Sequence, residues 1–143
     1  MIQRIQSLFL LLASVATFLE FVFPFFKGKQ STTGFFADSS YSIMDHPALM
    51  VLTVAAGAIA LLTIFLFNNR SLQQKMVYLT ILLSIALLAV TIFLGFQDTP
   101  NLLQNASVFV GTFLPVVAII FLGMSLRGIN KDDKLVRSMD RLR

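Results

Sequence analysis

Cysteine is absent from this chain, and so is tryptophan. Without cysteine there is no disulfide, no thiolate nucleophile and no cysteine-ligated metal site. A single histidine and seven carboxylates are too scattered to form a ligand set of recognisable spacing. Charge is also scarce: 13% of the 143 residues are Asp, Glu, Lys or Arg, against about 25% in a typical soluble domain. That leaves too little polar surface to cover a water-soluble particle. No nucleophile–base pair is visible, so the chain reads as a non-enzyme with no cofactor or metal.

What is present is aliphatic and rich in phenylalanine. The chain is 57% hydrophobic with 15 Phe, and its mean hydropathy is +0.83. The apolar residues fall into four runs, at 5–26, 48–67, 76–96 and 106–126. A membrane helix needs about 20 apolar residues to cross roughly 30 Å of hydrocarbon. Four such runs leave no polar helix faces to meet water. The first run follows Arg4 and contains Ala13-Ser14-Val15-Ala16, as a secretory leader would. It continues to Phe26, past the usual apolar region of a leader, and so reads as a retained span. The expected fold is an all-α membrane protein, with four transmembrane helices in an antiparallel bundle because the connections are short.

Basic residues orient the bundle. Arg4, Arg70, Lys75, Arg127, Lys131, Lys134, Arg137, Arg141 and Arg143 all lie on one side of it, whereas the other side holds only Lys27 and Lys29. The richer side is expected to be cytoplasmic, with both termini there. The longest outer connection, residues 27–46, is rich in Gly, Ser and Thr and reads as irregular structure.

Few polar residues interrupt the spans. Glu20 is the only ionisable one inside a run, about 22 Å along the first helix from Ile5, and intramembrane carboxylates mark functional candidates. It reads mainly as a near-surface carboxylate or a polar contact to another helix. Thr53, Thr91 and Thr112 are weak candidates for a partner. Asp45-His46-Pro47 reads as a helix start, with Asp45 or His46 as cap and Pro47 in the first turn. Pro24 suits the end of the first span, and Pro115 should kink the fourth. Small residues four apart (Ala13 and Thr17, Ala56 and Ala60, Ser107 and Gly111) allow close helix approach in lipid.

The tail, residues 127–143, is the most informative polar segment. Gly128 can end the fourth span and Asn130 can cap a new helix, whose charge order suits the helix dipole. Asp133 and Arg137 are spaced to pair. Leu135, Met139 and Leu142 form one apolar stripe. A short cytoplasmic amphipathic helix is therefore expected, lying on anionic inner-leaflet lipid or docking a cytoplasmic partner, with a ribosome or RNA among the options.

Three segments carry a resemblance: residues 1–8 (MIQRIQSL), residues 64–73 (IFLFNNRSLQ) and residues 131–143 (KDDKLVRSMDRLR). With them the chain resembles an uncharacterised family of small four-span inner-membrane proteins of Bacteroidota, a domain of unknown function. The likeness covers essentially the whole chain and implies a four-helix membrane protein with no activity to transfer. The functional expectation is an accessory or scaffold subunit of a larger inner-membrane complex, such as a translocation or biogenesis machine. Its cytoplasmic contact residues would be Arg4, Arg70, Lys75, Lys131, Lys134, Leu135, Arg137, Met139, Arg141, Leu142 and Arg143, facing lipid and other membrane-protein subunits. The alternative is a small oligomeric transporter or channel using Glu20 and the kinked fourth span.

Overall fold

The apolar runs fold into helices whose outward faces stay apolar. A computed structural model describes residues 2–28, 39–98 and 106–140. The described residues form four α-helices, α1 (Ile2–Leu19), α2 (Pro47–Phe65), α3 (Arg70–Asp98) and α4 (Val110–Asp140), with a single 3-10 turn at Ile43–Asp45 before α2. They close a ring, each packing on the next and α4 returning to α1. Neighbours run antiparallel. The Ser14 hydroxyl of α1 reaches the Gly57 carbonyl of α2, and near the start of α1 the Gln6 side chain reaches Asp132 late in α4.

Polarity is inverted relative to a soluble bundle. The buried positions of α3 are Gln73, Val77, Thr80, Ser84, Leu87, Thr91 and Gly95, a spacing of threes and fours that makes one inward stripe. Its hydroxyls are satisfied within the helix: Thr80 donates to the Met76 carbonyl at 2.9 Å, Ser84 to Thr80 at 3.0 Å and Thr91 to Leu87 at 2.8 Å. The outward stripe carries Leu79, Leu82, Ile85 and Phe93, all exposed. In water such a surface would be one large apolar patch. α2, α3 and residues Val110–Val136 of α4 are each long and apolar enough to cross a membrane. The apolar part of α1, Ile5–Leu19, reaches only about 22 Å.

That shortness corrects the expected first span, which does not run to Phe26. After Leu19 the backbone tightens into i to i+3 hydrogen bonds, Glu20 to Thr17 and Phe21 to Phe18. Pro24 then cannot donate. The next residues enter a small antiparallel sheet, itself absent from the all-α expectation. Strand β1 (Phe26–Gly28) sits between β2 (Ser40–Tyr41) and β3 (Ala106–Val108). In register, Phe26 faces Tyr41 on one side and Val108 on the other. The sheet closes one end of the bundle over Phe25, Phe26, Tyr41, Ile43, Leu49, Leu87 and Ala106. Burial pushes the Tyr41 phenol up, and Asp45 and Asp98 add to it. Lys27 lies over the Phe109 ring at 4.1 Å, a cation–π contact at the rim.

The start of the fourth span is also corrected, because residues 106–108 pair as β3 and α4 begins at Val110. Here Gly111 is required. Its N–H donates to the Pro24 carbonyl at 3.1 Å, and a Cβ would fall 2.4 Å from the carbonyl oxygens of Phe23 and Pro24. α2 starts as expected, with Pro47 at the first position and His46 Nδ1 accepting from the Ala48 N–H at 3.2 Å. Ala13, Thr17, Ala56 and Ala60 are buried at helix contacts. Ser107 is exposed on β3.

The separate tail helix is the third correction. α4 continues unbroken through Gly128 and Asn130 to Asp140. Ile129 is fully buried beside Leu10, Val77 and Leu122, so packing on α1 and α3 outweighs the glycine's stop signal. Gly128 faces α1, where a Cβ would meet Gln6 Cγ at 2.7 Å. Pro115 is accommodated inside the helix.

Candidate functional site

Polar side chains gather at the end of the bundle opposite the sheet. Ser125, Ile129 and Asp132 repeat at i, i+4 and i+7 on α4, one face turned towards α1 and α3. Gln6 Nε2 donates to Asp132 Oδ2 at 2.6 Å, and the Gln6 carbonyl accepts from Ser125 Oγ at 3.3 Å. Gln6, Asp132 and Ser125 are all buried. On the neighbouring corner, Asn69 Oδ1 accepts from the Leu72 N–H at 3.1 Å, capping α3 and fixing Arg70 as its first residue. The Arg70 guanidinium then donates to the Asp132 backbone carbonyl at 3.4 Å. Buried Gln73 donates to the Thr63 carbonyl at 3.2 Å, tying the α2–α3 turn shut.

Beside this cluster lies a cleft of about 560 Å³ between the α2–α3 turn and α4, lined by Phe67, Asn68, Asn69, Arg70, Asp133 and Val136. Phe67, Asn68, Asn69 and Val136 are exposed along it, and Arg70 and Asp133 are half-buried.

The structure assembles part of the expected contact surface here. Arg70 meets α4 directly. Lys75 stands exposed on α3 itself, not in a loop, and Lys131, Lys134 and Leu135 are exposed on α4. Arg4 lies in α1, and Arg137 and Met139 lie in α4, with side chains outside the described residues; so the pairing of Asp133 with Arg137 also lies outside the description. Arg141, Leu142 and Arg143 are outside the described residues altogether.

Sequence reasoning missed Gln6, Asp132 and the cleft. The available signal was the inward spacing of Ser125, Ile129 and Asp132, which continues the core stripe through the basic tail.

Glu20 occupies the other half of the bundle, just past α1. It is 1% exposed, which overturns the near-surface reading and leaves the helix contact. Thr53 of α2 donates a long hydrogen bond of 3.5 Å to Glu20 Oε2, while Oε1 has no partner among the described residues. Of the three threonines weighed as partners, Thr53 alone meets it. Thr91 and Thr112 bond the carbonyls of Leu87 and Phe25.

No curated protein and no solved structure is detectably similar to this chain. A family model does match, over residues 2–142, so the chain belongs to the family described as domain of unknown function DUF4293.

Proposed function

We propose that the protein is a non-enzymatic accessory or scaffold subunit of a bacterial inner-membrane assembly, crossing the bilayer four times with both termini in the cytoplasm. The observation that carries this reading is the division of surface. The helix exteriors are apolar, the inward hydroxyls of α3 bond their own backbone, and exposed Lys75, Lys131 and Lys134 project at one end beside Arg70 and the cleft. Exposed basic groups of this kind rest on anionic lipid or meet a partner. α1 is short for a span, and the turn and sheet after Leu19 supply the remaining depth.

Topology is directly testable because the chain has no cysteine of its own. In intact cells, a membrane-impermeant maleimide should label Ser107→Cys, on β3, and spare Ser138→Cys until the inner membrane is opened. Labelling of Ser138→Cys from outside would reverse the orientation. The subunit role has its own measurement: purification in gentle detergent should recover partners in stoichiometric amounts. The double substitution Lys131→Glu, Lys134→Glu should release them without changing membrane insertion. A lone chain across several detergents would sink the subunit reading.

A further inference from the structure

We propose that the Glu20 carboxylate and the Thr53 hydroxyl hold a sodium ion between the end of α1 and α2. The inference goes beyond the subunit role and stands whatever partners the bundle has.

Charge balance is the first argument. Glu20 is 1% exposed, and an ionised carboxylate buried so deeply needs a counter-charge. No basic side chain among the described residues pairs with it. Oε2 meets Thr53, and Oε1 has no partner there. Position is the second argument. α1 stops at Leu19, about 22 Å along from Ile5, so its C-terminus lies within the depth of the bilayer. The partial negative charge of a helix C-terminus favours a cation, and helix ends inside membranes coordinate sodium in this way. The Glu20 N–H donates to the Thr17 carbonyl at 3.3 Å, three residues back. The carbonyl of buried Ala16 thereby loses the donor that a continuing helix would give it.

Geometry selects the ion. Thr53 Oγ1 and Glu20 Oε2 stand 3.5 Å apart, whereas hydrogen-bonded oxygens lie about 2.7–2.8 Å apart. Two oxygens at right angles about one ion have this separation when each is about 2.5 Å from it, the ligand distance of calcium, whose radius sodium shares. Magnesium, with ligands at about 2.0–2.1 Å, would draw them to about 3 Å, and the larger potassium ion would spread them further. A divalent ion also calls for more carboxylates, and no group of three acidic, His or Cys side chains occurs among the described residues. The other buried threonines point the same way. Thr17, Thr63, Thr80 and Thr91 each donate to the carbonyl four residues back, at 2.6 to 3.0 Å. Thr53 turns to Glu20 instead. With a cation on its lone pair, its hydrogen is released to bond the Leu49 carbonyl as the others do.

The test uses the full chain in detergent with sodium, potassium or choline chloride at equal ionic strength. Melting is followed by circular dichroism. Reaction of Glu20 with dicyclohexylcarbodiimide, an apolar reagent for buried carboxyl groups, is followed by mass spectrometry of peptides. The wild-type melting temperature should rise saturably with sodium and stay level in choline. At about ten times the half-saturating sodium concentration, labelling should slow about tenfold, and potassium should protect less. Thr53→Val should raise the half-saturating concentration about tenfold, the effect of losing one polar contact. Thr53→Ser keeps the oxygen and should respond as the wild type does. Glu20→Gln should lose both responses, and in choline it should melt at or above the wild type. Should that variant fail to fold, protection of the wild-type carboxyl still decides. Melting and labelling unchanged by sodium would mean a carboxyl that keeps its own proton, and would overturn the proposal. Equal protection by potassium overturns the choice of ion, and an unaltered sodium response in Thr53→Val overturns the pairing of the two residues.

Discussion

Gly111→Ala is expected to cost about 3 kcal/mol, the upper end of what overpacking ordinarily costs. The added methyl would sit 2.4 Å from two backbone carbonyl oxygens, those of Phe23 and Pro24. Side chains can rotate away from a clash, but these carbonyls cannot. The Pro24 carbonyl already accepts the Gly111 N–H, and the Phe25 carbonyl next to it takes the Phe109 N–H and the Thr112 hydroxyl. Relief would require moving the turn after α1 away from α4, which also strips β1 from β3. Gly123→Ala is the matched control, since a Cβ there meets nothing within 4 Å; it should be neutral or gain up to about 1 kcal/mol of helix propensity. Thermal melting of both variants in one detergent, followed by circular dichroism, measures the difference. Equal melting temperatures would mean that α4 does not approach the turn this closely.

The same contact shows why the end of the first span was hard to read. Hydropathy sees Phe21, Val22, Phe23, Phe25 and Phe26 as more of a membrane helix. Instead the N–H groups of Phe21, Val22 and Phe23 close a local turn on Phe18 and Leu19, and the backbone groups of Pro24, Phe25 and Phe26 are taken by Tyr41, by β3 and by the start of α4, all distant in sequence. The only local hints were Glu20 and Pro24, weak against so many aromatic residues. Short strands such as Ser40–Tyr41 have too few residues for an alternation pattern. The interiors of α2 and α3 were legible because length and apolar composition suffice there, and His46-Pro47 was legible because capping is a local interaction.

At the tail, local signals misled. Gly128 and Asn130 carry stop and cap chemistry, yet Gly128 is in mid-helix because α1 needs the space its missing side chain leaves. The basic residues were found by composition alone. The cleft they flank was not, since it exists only once the α2–α3 turn is laid against α4, and no periodicity of either segment encodes that meeting. Arg70 stood out as a charge, and its contact with Asp132 depends on tertiary packing.

Thr53→Val is expected to lower stability by about 1–3 kcal/mol, the cost of stranding a buried polar group. It removes the Thr53 hydrogen bond to the Glu20 carboxyl, whose other oxygen already lacks a partner among the described residues. Glu20→Leu removes the need for that bond, so Thr53→Val placed on top of it should cost less than about 0.5 kcal/mol, making the pair strongly non-additive. Glu20→Gln keeps an oxygen to accept from Thr53 and replaces a carboxyl that can ionise with an amide that cannot, so it should melt at or above the wild-type temperature. These melting experiments separate two roles for the carboxyl. For a scaffold, Glu20→Gln leaves growth and partner recovery unchanged, because the group only joins the end of α1 to α2. For a transporter, the same variant stays folded and assembled but abolishes flux, because an intramembrane carboxylate that carries a proton or cation cannot be replaced by an amide. A folded Glu20→Gln protein with lost flux would therefore move the functional reading from the polar end of the bundle to its interior. An additive Glu20–Thr53 pair would show that the bond contributes nothing to joining the two helices.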